Sequence, residues 1–272
     1  MYSLGYNDFP TRSPMSAFIR LLTGWLLLMC AGTAMAQGVV TVAAASGVKF
    51  ALDEIAQAWQ RQTGSTVRIA YGSSGNFFRQ IGQDAPFEVF LSADEDFVFR
   101  LAEQQRAVDR GVLYAVGRIV LFVPKGSPLK AGATLADLDV ALADGRLRRF
   151  AIANPEHAPY GRAAMQALRA VRLWDRIQPV LVLGENVSQA AQFAASGSAE
   201  AGVFAHSLAL APTFASAGSF TLVPENLHEP LRQRMVLTRK AGDAARAFYA
   251  HLQQPAARAV LRRYGFTLPG EG

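Results

Sequence analysis

The chain has 272 residues, 51% hydrophobic and only 18% charged. That is enough apolar material for a sizeable core, and it excludes disorder along the whole length. The 27 Lys and Arg exceed the 21 Asp and Glu, for a formal net charge of +6. The excess is spread thinly. Its densest cluster, Arg146, Arg148 and Arg149, is broken by Leu147, so there is no basic stripe of the kind nucleic acid requires, and no nucleic-acid partner is expected.

Residues 1–36 read as a cleaved export signal. Arg12 and Arg20 are the only basic residues before the apolar run of residues 21–30, and Ala34-Met35-Ala36 fits the small-x-small cleavage pattern. The mature chain is therefore expected to start at Gln37, with Met1 or Met15 as initiator. Cys30 is the sole cysteine, and Met29 before it does not fit a lipidation signal. Without a thiol, the mature protein has no route to disulfides, zinc-thiolate sites or cysteine catalysis. No later apolar run reaches the roughly 18 residues of a transmembrane helix. A soluble periplasmic protein is expected.

Strand and helix patterns then alternate. Strands are predicted at 39–45, 66–71, 88–91 and 118–123, with helical periodicity through Leu52, Ile55, Ala56 and Trp59, through Phe77, Phe78 and Ile81, and through Val98 and Leu101. The second half repeats the theme. Strands are predicted at 150–153, 180–183, 202–205, 221–223 and 235–238. Helices are predicted from about Gly161, after Asn186, and at 243–252 and 256–264. This alternation predicts an α/β fold of two units, each a mostly parallel sheet covered by helices.

Four strand-to-helix junctions share one character. They are Ala45-Ser46-Gly47, Gly72-Ser73-Ser74-Gly75, Ala158-Pro159-Tyr160-Gly161 and Glu185-Asn186-Val187-Ser188. A helix start offers unpaired N–H groups and the positive end of a dipole. Glycine permits close backbone approach, and Ser hydroxyls add donors. Several such starts around one crevice make an anion site that needs no Lys or Arg. Each junction taken singly also fits ordinary helix capping.

These residues carry a family likeness. VTVAAAS (40–46), YGSSG (71–75), RQI (79–81), FLSAD (90–94), NPEHAPYG (154–161), GENVSQA (184–190) and RRYGF (262–266) resemble the periplasmic molybdate-binding proteins, the solute-binding components of molybdate ABC transporters. The resemblance implies a two-domain periplasmic binding protein fold with the ligand in the interdomain cleft. Domain I would be 37–117 and 225–272, and domain II 118–224, with hinges near 117–120 and 222–226. It implies that molybdate or tungstate is held by the hydroxyls of Ser46 and Ser74 and by the backbone N–H of Tyr160 and Val187. It also implies a membrane permease as partner, action as a monomer, no cofactor and no enzymatic activity. Some family members carry a ligand Tyr where this chain has Ala205, which leaves open a role for the Tyr160 hydroxyl.

Bare chemistry adds a filter. Phosphate keeps a proton near neutral pH and favours a carboxylate acceptor, whereas molybdate, tungstate and sulfate want donors only. The Ser46 and Ser74 junctions hold no Asp or Glu, although Glu185 lies close to Val187. The four histidines, 157, 206, 228 and 251, show no metal-binding spacing. Two rival readings are a binder of sulfate or another small oxyanion and an exported α/β hydrolase. The second lacks the G-x-S-x-G elbow at Gly72-Ser73-Ser74-Gly75.

Overall fold

Val39–Ala45 (β1) is apolar apart from Thr41, and it becomes the inner parallel strand of a five-stranded sheet. The computed structural model describes Met1, Tyr2 and residues 38–270. The expected export signal and cleavage site lie outside the described residues. Gly38–Gly272 forms one unit, to which everything below refers.

The first sheet runs in the order β2 (Thr66–Gly72), β1, β3 (Val89–Ser92), β10 (Leu231–Leu237), β4 (Val112–Gly117). β1 pairs in parallel with β2 and β3, while β10 is antiparallel to both β3 and β4. A single 3-10 turn, Ser46–Val48, leads from β1 straight into α1 (Lys49–Thr63). The apolar face of α1, with Leu52, Ile55 and Trp59, packs with Val40, Val42 and Phe248. Gly64 ends the helix at φ 70°, a left-handed cap that glycine adopts without strain. α2 (Ser74–Gly82) and α3 (Glu95–Glu103) cover the other face, packing Phe77 and Leu101 with Phe90 of β3.

The second sheet repeats this order as β7 (Leu181–Gly184), β6 (Phe150–Ala153), β8 (Ala201–Ala205), β5 (Ile119–Pro124), β9 (Gly218–Leu222). β6 is parallel to β7 and β8, and β5 is antiparallel to β8 and β9. Its helices include α4 (Asp137–Ala143), α5 (Pro159–Ala170), the short α6 (Trp174–Ile177), α7 (Val187–Ala195) and the short α8 (His206–Ala209) and α9 (Pro212–Ala215). Phe122, Phe150 and Phe204 are fully buried among them. Truncating such a ring to Ala costs about 3–5 kcal/mol.

The chain crosses between sheets twice, at Arg118 and over residues 223–230. An ion pair between Arg118 and Glu225 ties the two crossings together. The last helices, α10 (Asp243–His251) and α11 (Pro255–Arg263), return to the first core through Phe248 and Leu261.

Each sheet is mostly parallel, as expected: four of its five strands run one way, and β10 and β5, entered straight after a crossing, run against their neighbours. β4 and α4 have no counterpart in the sequence reading. The strand expected at 118–123 is β5, shifted by one residue, and Arg118 alone separates it from the unexpected β4. Among the described residues, no helix is long and apolar enough to cross a membrane.

Candidate oxyanion site

The four expected ligand residues meet. Ser46, Ser74, Tyr160 and Val187 line one small pocket with Ala45, Gly72, Ser73, Ala93, Ala158 and Pro159, with a cavity volume of about 10 Å³. Organic ligand sites run to about 300–1,000 Å³, so the pocket is far too small for a ligand of that kind. Four larger cavities share none of the four expected residues, although one of them adjoins the pocket at Ala93 and Pro159.

Each wall follows from local sequence. Ser74 opens α2 and is fully buried. Its Oγ accepts from the Ala93 N–H at 2.9 Å, which leaves the hydroxyl proton to donate elsewhere. Ser46 is arranged differently. Its Oγ donates to Asn186 Oδ1 at 3.0 Å and accepts from the Ser188 N–H at 3.2 Å. Ser188 Oγ in turn donates to the Ser46 carbonyl at 3.1 Å. A Ser46 hydroxyl that donates to an anion must first leave Asn186.

The opposite wall is main chain. α5 begins Pro159-Tyr160. Proline has no N–H to waste in the first turn, and Tyr160, next along, has no acceptor within the helix. α7 begins at Val187, where the Asn186 side chain accepts from the N–H groups of Ser188 and Gln189. The cap therefore serves the second and third residues and leaves the first N–H, that of Val187, facing the pocket it lines.

No carboxylate lines the pocket. The two nearest are committed elsewhere. Asp94 caps α3 and pairs with Arg162 across the cleft. Glu185 accepts from Asn76, also across the cleft, and sits 3.6 Å from His157 Nε2. Other contacts close the two sides on each other. The Gly75 N–H donates to the His157 carbonyl at 3.0 Å, and His157 Nδ1 lies 2.8 Å from Ser73 Oγ.

The Tyr160 hydroxyl accepts at 2.7 Å from Nε2 of Gln233, a residue outside the pocket lining. Burial pushes its pKa well above that of a free phenol, partly offset by hydrogen bonds with Gln233 and Ser207, so it stays neutral. Ala205, fully buried, has no place in the pocket lining. Sequence reasoning missed Asn186 as a partner of Ser46. It also missed the Arg162–Asp94 pair, although Asp94 ends one quoted motif and Arg162 follows another. Among the described residues, no group of three His, Cys, Asp or Glu could hold a metal ion.

A fold of two sheets joined by two crossings, with helix starts converging on a small donor-lined pocket, defines a solute-binding protein. The family model described as bacterial extracellular solute-binding protein matches residues 40–267, and the chain belongs to that family. Within it, the chain is 36% identical to the molybdate-binding protein ModA of Rhodobacter capsulatus, over 90% of this chain and 94% of that one. It is 30% identical to ModA of Escherichia coli, over 88% and 93%. The solved periplasmic molybdate-binding protein of Azotobacter vinelandii superposes with a TM-score of 0.77 at 32% identity, over 85% of this chain and 99% of that one.

Proposed function

We propose that this protein captures molybdate or tungstate in the periplasm, after export by a cleaved signal peptide, and delivers it to the inner-membrane permease of an ABC transporter. It works as a monomer, with domain I at 37–117 and 225–272 and domain II at 118–224, and it binds and releases its ligand without transforming it. Sheet membership supports these boundaries, since strands of the first sheet come from 39–117 and 231–237 and those of the second from 119–222.

One observation carries the ligand class: the pocket presents hydroxyls and helix-start N–H groups from both domains and no carboxylate. Such a site stabilises a fully ionised tetrahedral anion and offers no carboxylate acceptor to a protonated one. The names of the relatives select molybdate within that class. Ser46, Ser74, Tyr160 and Val187 are the proposed contacts, the last two through N–H.

Calorimetry on anion-free protein with molybdate, tungstate, sulfate and phosphate tests this reading. Molybdate and tungstate should bind without proton uptake and raise the melting temperature, as any ligand specific to the folded state must. Equal or tighter binding of sulfate or phosphate overturns the assignment. Intact mass of the periplasmic protein tests export, with Gln37 expected at the start and an acylated Cys30 as the refuting result.

A further inference from the structure

We infer that Tyr160 couples domain closure to assembly of the pocket, its amide forming part of the wall and its phenol seated against the crossing strands. This rests on the oxyanion reading above.

The phenol reaches out of its own domain. Tyr160 belongs to α5, yet a Cβ added at Gly47 would lie 2.8 Å from its Cε2, and one added at Gly117 would lie 2.5 Å from its hydroxyl. Two glycines of the first domain thus hollow out the seat of this ring. Gly47 follows Ser46 in the pocket wall. Gly117 ends β4, next to the first crossing, and pairs with Leu231 at the start of β10.

Hydrogen bonds fix the ring in that seat. Gln233, fully buried on β10, donates to the Tyr160 hydroxyl at 2.7 Å and accepts from Tyr114 of β4 at 2.8 Å. Ser207 of α8 lies beside the same phenol and donates to the Gly47 carbonyl at 2.6 Å. A continuous buried chain therefore runs from the crossing strands through Tyr160 to the pocket wall.

Two consequences follow. The hydroxyl is already held by Gln233, so it acts as a positioning group, and the amide of the same residue is the pocket contact. Rotation of the second domain about its crossings must also withdraw the phenol and strand buried polar groups, which is costly. Closure and pocket assembly become one event. Anion release, which needs opening, is then the step this chain slows.

The test is rapid filtration with radiolabelled molybdate and an unlabelled chase, giving association and release rates separately. The variants are Tyr160→Phe, Gln233→Leu, their double, Gly117→Ala, and Ser74→Ala as control. Tyr160→Phe and Gln233→Leu should each speed release about 2- to 10-fold, the worth of one net hydrogen bond. Association should hardly change, and the double should be no faster than the worse single, because both break one chain. Gly117→Ala should also speed release and narrow the preference for molybdate over sulfate, since its Cβ pries the seat open. If Gln233→Leu does not fold, Tyr160→Phe and Gly117→Ala decide by the same criterion.

Unchanged release in Tyr160→Phe and Gly117→Ala overturns the coupling. So does a silent Gln233→Leu beside a strongly impaired Tyr160→Phe, which would make the hydroxyl a ligand. Ser74→Ala separates the two levels. If it weakens binding while Tyr160→Phe releases at the parent rate, the coupling alone fails. If both Ser46→Ala and Ser74→Ala leave affinity intact, the oxyanion reading fails and the coupling falls with it.

Discussion

The two domains share a strand order but meet the pocket by different means. The first presents side-chain hydroxyls, Ser46 and Ser74, while the second presents the first-turn main chain at Tyr160 and Val187. A hydroxyl is deleted by one substitution. An amide can only be displaced, by moving the helix that carries it. The first wall should therefore be sensitive to which residue stands there, and the second to whatever sets helix position.

Ser74→Ala gives the largest expected effect and tests the first wall directly. A hydrogen bond to a charged group contributes about 1.5–3 kcal/mol, so affinity should fall roughly 10- to 150-fold. Ser46→Ala should cost less, because the Ser46 hydroxyl already has an acceptor in Asn186 at 3.0 Å. Calorimetry on the two variants ranks them, and equal losses would show that Asn186 does not compete for the proton.

Gly75→Ala comes next and attacks the fit between the walls. Its Cβ would sit 2.7 Å from the His157 carbonyl on the other side of the cleft. Gly75 lies within α2, where Ala is the better helix former. Anion-free stability should hold, while closure pays an overpacking cost of about 1–3 kcal/mol, or a 5- to 150-fold loss of affinity. A parallel fall in melting temperature without anion would place the damage inside the first domain instead.

Asn186→Ala probes the second wall through its cap. Losing an Asn cap costs about 1 kcal/mol of stability, and the start of α7 carries Val187 with it. The Ser46 hydroxyl is simultaneously released toward the anion, so affinity should fall less than in Ser74→Ala. Paired thermal melts and titrations separate the two effects.

Much of this was legible in the sequence, for physical reasons. Helix starts that face a ligand need small, hydroxyl-bearing or N–H-exposing residues at fixed offsets, so YGSSG and NPEHAPYG marked the walls. The strand pairs were legible where apolar runs ended in Gly, Ser or Asn. The crossing at Arg118 was expected near 117–120 only through the family resemblance, because one residue between two apolar strands carries no turn signal of its own. The partners of the Tyr160 hydroxyl were not legible. Gln233 and Ser207 are remote in sequence, and only the folded topology brings them to one ring. The Ser46–Asn186 bond spans 140 positions and is invisible to spacing for the same reason.

The smallest expected effect concerns a group just behind the first wall. Glu95 begins α3 and receives Arg232 and Arg234 of β10. Burial pushes the Glu95 carboxyl up, but the hydrogen bonds and charges of the two arginines outweigh it and hold the group below the ordinary carboxylate range. A carboxyl depressed in the folded state adds stability above its unfolded pKa, and that stability is lost as pH falls through the folded value. Glu95→Gln should accordingly cost about 0.5–1 kcal/mol at pH 7, discounted for the half-exposed Arg232. The gap from the parent should shrink below about pH 4, where the unfolded carboxyl takes up its proton. Because both arginines sit on β10 of the same sheet, molybdate affinity at pH 7 should stay close to the parent value. Chemical denaturation at pH 7 and pH 3.5 checks the sign. A stability gap that widens on acidification would mean that burial, not the arginines, governs Glu95. A matching loss of affinity would mean that the wall carrying Ser74 depends on this ion pair for its position.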